Sequence, residues 1–246
     1  MKTINLVLLP ILFFNLSIIA QEESIDPSKP TNIYTRINNN FELTDRSGNL
    51  EYGYRFNYNY ASSNIQFSAE VPFLYSNVTN YFGLSDIRLR SFYVPYIDYD
   101  RTIGALGVSL DLFIPTGNEE QQLGSGSWSI SPGIITGIMI NNNYSIWPTV
   151  SYRYQFRSNK KGFDEQHGMT LQILNSINIS EKVYLMATPM FLMNDFINEN
   201  KDLIGAELEF NYMIKPNKIQ IGFFTRQLKN RTDRIQSYRI MARFFL

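Results

Sequence analysis

The chain has 246 residues, carries 22 basic and 22 acidic side chains, and contains no cysteine. Zero net charge gives no support to nucleic-acid binding, and without cysteine there is no disulfide framework and no thiolate metal site. Aromatic residues make up 15% of the sequence, with 16 Tyr and 18 Phe, an enrichment that favours strands and the aromatic girdles of membrane barrels.

In chain order, the first element is a targeting segment. Lys2 supplies a positive charge, and an apolar run from Ile4 to Ile19 follows, broken only at Asn5, Pro10, Asn15 and Ser17. The run ends at Ala20 before the polar Gln21, Glu22 and Glu23, which is the layout of a cleaved secretory signal peptide. A membrane anchor wants roughly 20 apolar residues, and this run is shorter and interrupted by a proline. Residues 1–20 are therefore expected to be signal, and residues 21–246 a single exported domain.

The rest of the chain alternates. Between Glu51 and Tyr60, the residues Tyr52, Tyr54, Phe56, Tyr58 and Tyr60 share one face, opposite Glu51, Gly53, Arg55, Asn57 and Asn59. A period of two separates these sets onto the two sides of a strand, and an aromatic side opposite a charged one suits lipid and water. Ile65, Phe67, Ala69, Val71 and Phe73 repeat the pattern against Gln66, Ser68 and Glu70. Twelve such segments lie near 33–43, 50–60, 64–74, 84–97, 102–114, 127–140, 144–157, 167–179, 182–193, 202–214, 218–227 and 234–246. Eleven residues at about 3.3 Å each and a tilt near 40° rise about 28 Å, close to the apolar thickness of a bilayer.

The connections alternate between short ones, such as Asn141-Asn142-Asn143 and Ser180-Glu181, and longer ones, such as Pro115 to Gly126. These features predict an all-β fold, a closed antiparallel transmembrane β-barrel of about twelve strands, with short periplasmic turns and longer extracellular loops. Pro72, Pro95, Pro132, Pro148 and Pro189 fall inside the segments and are expected at bulges or strand ends, since proline removes a ladder donor.

The inward side is expected to be charged. Arg55, Glu70, Arg88, Arg90, Asp111 and Arg153 are the candidate lumen-lining set, and Glu70, the two arginines and Asp111 come from three consecutive strands. Such charges either select solutes or neutralise one another as a filled interior. Arg157, Glu207, Glu209, Arg226, Arg239 and Arg243 add to them. His167 is the sole histidine and the one candidate for a lipid hydrolase of the outer membrane, but no Gly-x-Ser-x-Gly elbow accompanies it. A loop histidine is the simpler reading. No residue is assigned a catalytic or metal-binding role, no cofactor is expected, and an adhesive barrel with binding loops is the remaining alternative.

The central third carries a further pattern. Gly83-Leu84-Ser85-Asp86 opens a strand, and the next one ends in Ile114-Pro115-Thr116-Gly117. Gly124-Ser125-Gly126 and then Pro132-Gly133 follow. This order resembles the outer-membrane family named for the meta-pathway of phenol degradation, over residues 83 to 133, with Ile114 in place of the family's Leu and Ser85 where Gly is common. The resemblance implies a transporter-like barrel that moves small, often hydrophobic, molecules. The combined expectation is a non-enzymatic, monomeric channel in the outer membrane. Its partners would be outer-membrane lipid, the barrel-assembly machinery and a small solute.

Overall fold

The computed structural model describes residues 25–157, 164–196 and 202–246. The expected signal segment, residues 1–20, lies outside the described residues.

Alternation becomes one closed wall. The strands are β1 (Arg36–Arg46), β2 (Asn49–Ser62), β3 (Ile65–Ser76), β4 (Tyr81–Leu84), β5 (Ile87–Ile97), β6 (Ile103–Ile114), β7 (Ser129–Asn141), β8 (Tyr144–Gln155), β9 (Gln166–Ser180), β10 (Val183–Met193), β11 (Leu203–Lys215), β12 (Ile219–Lys229) and β13 (Arg234–Phe245). Each pairs antiparallel with its neighbour. The ring closes where β1 pairs with β2 on one side and with β13 on the other, from Arg36↔Phe245 to Arg46↔Ile235. β4 and β5 are one barrel strand in two pieces. β3 pairs with β5 up to Glu70↔Arg88 and with β4 from Phe73↔Leu84, and the intervening Ser85 and Asp86 form a bulge. The barrel therefore has twelve strands, as the segment pattern predicts.

Every in-strand proline sits at a break in a ladder. Pro72 faces the β4–β5 bulge, and Pro95 lies in the register shift between Tyr93 and Tyr96. Pro132 and Pro148 fall in gaps of the β7–β8 ladder, and Pro189 falls in a gap between β9 and β10. A residue without an N–H is tolerated where no donor is required.

Two expectations need correction. The first segment was expected to start near residue 33, but β1 begins at Arg36, and the residues before it form no strand. The first hairpin turns at Ser47 and Gly48 alone, so one connection on the loop-bearing rim is tight. Gly48 has φ +95°, which only glycine adopts without strain.

The wall is inside-out relative to a water-soluble protein. Phe41, Phe67, Ile134, Ile179, Ile204 and Ile240 all point outward and are more than half exposed. They are spread round the ring and form an apolar belt rather than a patch. Asn38, Asn57, Asn211 and Gln220 point inward and are buried.

Candidate functional site

The inward register positions most of the lining set. Arg55 on β2, Glu70 on β3, Arg88 and Arg90 on β5 and Asp111 on β6 all face the lumen. The Glu42 carboxylate accepts from Arg55 Nε at 2.6 Å and from Arg239 Nη2 at 3.2 Å. Arg55 Nη1 donates onward to Glu70 at 3.1 Å. Asp111 Oδ1 accepts from the Nε of both Arg88 and Arg90 at 2.8 Å, and Arg90 Nη2 reaches Oδ2 at 3.0 Å. Further round, Glu207 holds Arg226 at 2.6 Å, and Glu209 holds Arg243 at 2.8 Å.

The lining set does not act as one cluster. Glu70 sits opposite Arg88 in the register but binds Arg55, so the two arginines of β5 share a single carboxylate. Arg153 lies on the other side of the lumen and donates to the Asn194 carbonyl at 2.6 Å. Arg157 is past the end of β8 and pairs with Asp164 on the loop rim, not in the lumen.

Apart from Arg153, the opposite wall is lined mostly by uncharged groups. Ser131, Thr149, Ser151, Thr170 and Gln172 face inward from β7, β8 and β9, in register with one another. Near the loop rim, Met190, Leu203 and Leu228 pack into an apolar cluster with Leu192 and Ile235 and fill the sector of β10 to β13. Arg88 and Arg90 remain about one third exposed despite their shared partner.

Residues 25–35, before β1, form a strap across the mouth where β1 begins and β13 ends. Asp26 organises it: its carboxylate accepts from the Ser28 N–H at 3.1 Å, its carbonyl accepts from Asn32 Nδ2, and its N–H donates to the Tyr34 hydroxyl. From β1 the strap reaches the far side of the ring. The Ser28 carbonyl accepts from Ser176 on β9 at 2.6 Å, and the Ile25 N–H donates to Asn217 on the β11–β12 turn at 2.8 Å. Tyr99, on the β5–β6 turn, bonds Thr31 and Asn32, lies 4.4 Å under the Lys29 ammonium and stacks edge-on to the fully buried Trp147. Tyr34 packs edge-on against Phe245, and its carbonyl accepts from Gln66. Thr31 is completely buried. Sequence reasoning missed this element because it has no period; its signal is the pair Pro27 and Pro30 beside Asp26 and Asn32, a turn composition.

Most of the motif between Gly83 and Gly126 gathers at the opposite rim. Asp86, in the bulge, accepts from the Gly117 N–H at 3.0 Å and from the Ser125 N–H at 2.6 Å. The Thr116 hydroxyl donates to the Ser85 carbonyl and accepts from the Ile87 N–H. Gly117 and Gly124 approach so closely that a Cβ on Gly117 would lie 2.8 Å from Gly124 Cα, and Gly126 has φ +71°. Leu123 is buried beside Gly83. Pro115 ends the pairing of β6, while Pro132 and Gly133 stand apart on β7, in the wall. The motif thus ties the 115–128 loop to the wall through one carboxylate. Replacing Asp86 with Ala is expected to cost this loop about 3 kcal/mol or more, since it removes two charge-assisted bonds worth about 1.5–3 kcal/mol each. Amide exchange at Gly117 and Ser125 should accelerate tenfold or more while β7 stays protected.

His167 faces outward, paired with Tyr154, and its Nδ1 meets the Tyr152 hydroxyl at 2.5 Å. This aromatic group, with Tyr154 5.0 Å from the imidazole, lies on the belt side near the loop rim. The partner of the imidazole Nδ1 is this phenol and not a serine hydroxyl.

No family model matches the chain, and no curated protein matches it. Solved structures do match. An outer-membrane channel from Pseudomonas putida F1 superposes with TM-score 0.64 at 12% identity, covering 89% of this chain and 100% of that one. The KdgM porin in complex with disordered oligogalacturonate gives 0.62 at 10% identity, over 86% and 99%. The translocator domain of the autotransporter NalP from Neisseria meningitidis gives 0.55 at 11%, over 89% and 91%. The chain has the fold of outer-membrane barrels of the porin kind, a closed twelve-stranded antiparallel wall. Because a translocator shares that shape, the lining has to argue the function.

Proposed function

We propose that this chain is a monomeric outer-membrane channel for small hydrophilic solutes, with a preference for anions. The observation that carries this is the Arg88–Arg90 pair, two partly exposed guanidiniums on one shared carboxylate, facing a wall of hydroxyl and amide side chains. Arginine cannot discharge by deprotonation, so the path beside β5 carries surplus positive charge. A carboxylated or phosphorylated solute is attracted to it, and the serine, threonine and glutamine wall offers replacement hydrogen bonds for lost water. The KdgM porin's oligogalacturonate is a solute of this chemistry. The phenol-pathway resemblance implies hydrophobic cargo, and Phe113 does lie against Arg88, but the two guanidiniums and the hydroxyl wall favour a polar solute. In this reading the apolar belt sits in outer-membrane lipid, the strap faces the periplasm, residues 1–20 direct export, and the barrel-assembly machinery inserts the wall. No chemical step on the solute is involved.

The test is reversal potential in planar bilayers under a salt gradient. The mature chain should favour anions, and the Arg88→Gln/Arg90→Gln variant should lose that preference or invert it. Unchanged selectivity in a folded variant would remove these arginines from the path. Silence of the mature chain, with and without its strap, would sink the channel reading itself.

A further inference from the structure

We propose that the strap-covered end of the lumen holds a binding site for a small monovalent anion on Arg36, distinct from the Arg88–Arg90 path. Arg36 opens β1 and faces inward between Phe245 on β13 and Asn59 on β2. The other inward arginines are compensated: Arg55, Arg88, Arg90, Arg226, Arg239 and Arg243 each touch a carboxylate, and Arg153 donates to a carbonyl. Arg36 has no ion pair and no hydrogen bond among the described residues, and its Nε is sealed from solvent without an acceptor.

Its surroundings sharpen the imbalance. Arg243 lies diagonally across the β1–β13 ladder, opposite Asn38, within reach of a long side chain. The carboxylate of this region, Glu209, is engaged by Arg243 at 2.8 Å and by Asn211 Nδ2 at 2.9 Å. Two guanidiniums thus meet one carboxylate in a sector packed with the fully buried Asn211 and Gln220. Arg36 is partly buried, and a guanidinium held there without a carboxylate is costly because it cannot discharge. A counter-ion reaching it from the lumen would neutralise it. The Nε edge is sealed, so an anion has to approach the two Nη groups, which are not among the sealed unpartnered atoms and whose fork suits a halide or a carboxylate. Tyr34, stacked on Phe245 directly beside Arg36, makes the strap the roof of this site.

Bromide is the probe. Crystals of the mature chain grown in sodium bromide should show an anomalous peak within hydrogen-bonding distance of the Arg36 guanidinium, and Arg36→Gln should abolish it. In detergent at fixed ionic strength, exchanging gluconate for bromide should raise the melting midpoint by a few degrees in the wild type and in Arg36→Lys, but not in Arg36→Gln. A wild-type crystal without a peak at Arg36, or a peak that persists in Arg36→Gln, overturns the site. If Arg36→Gln does not assemble, the wild-type peak and the response of Arg36→Lys decide. Because binding is read without conduction, a silent channel would leave this site standing, and an anion-selective channel without the peak would not rescue it.

Discussion

Deleting residues 25–34 from the mature chain is expected to raise single-channel conductance severalfold and leave the barrel folded. The strap joins β1 to Ser176 on the far side of the ring and to the nearer β11–β12 turn at Asn217, and Thr31 at its middle is fully buried. A twelve-stranded lumen is wider than the eight-stranded barrels that side chains alone can fill, so an intact strap is the main obstruction at that mouth. The wall does not depend on it, because β1 pairs along its whole length with β2 and β13. Tyr99→Ala, which removes the bonds to Thr31 and Asn32 and the platform under Lys29, should give an intermediate rise with frequent switching between levels. Burial pushes the Tyr34 and Tyr99 phenols up to about 12. A proton held more tightly in the docked state stabilises docking fully below about pH 10, the free phenol value, and that contribution fades as pH rises toward 12. Neutral-range pH should therefore leave the strap seated. If the deletion conducts no better than the full mature chain, the strap is not the obstruction.

The sequence made the wall legible and the mouths obscure, for a physical reason. A strand between lipid and water must alternate, so Tyr52 through Tyr60 announced both the strand and its outward face, and Arg55 came out inward as the register requires. Glu42 could have been found in the same way, since Asn38, Asn40, Glu42 and Thr44 alternate with Ile37, Phe41 and Leu43. It was missed because one of its neighbours in the ring, β13, is not its neighbour in sequence. Arg239, which binds Glu42, is 197 positions away. Pairing within a hairpin is likewise visible while choice of partner is not. Arg88 and Arg90 do meet Asp111, but Glu70, directly opposite Arg88, turns to Arg55 instead.

The strap and the Asp86 knot are legible only as composition. Neither repeats, so neither has a period to read. Asp86 shows why a motif can be noticed before it is understood. Its partners Gly117 and Ser125 are 31 and 39 positions away, and what draws them together is a bulge that turns one carboxylate onto the returning loop. Gly117, Gly124 and Gly126 then follow from close approach and a positive φ, with no role in contacting a solute.

The second large effect tests whether the belt meets lipid. Ile240 stands mid-way along β13, flanked on the outer face by Phe41 and Phe223, and is 65% exposed. Ile240→Arg is expected to destabilise the protein by about 2–4 kcal/mol in phospholipid vesicles, the usual cost of a charge on the lipid face near the bilayer midplane. On a water-soluble barrel the same change would fall within about 0.5 kcal/mol, as exposed substitutions usually do. The contrast with the inner face makes the result specific. Thr149→Arg, which points into the lumen from β8 opposite Gln172, adds a charge to the wet side and should cost little. Reversible denaturant unfolding of both variants in vesicles gives the comparison directly. A large penalty at Ile240 with a small one at Thr149 would place lipid outside the wall and water within it. Two small penalties would mean that the belt is wet, and the outer-membrane location would fall with it.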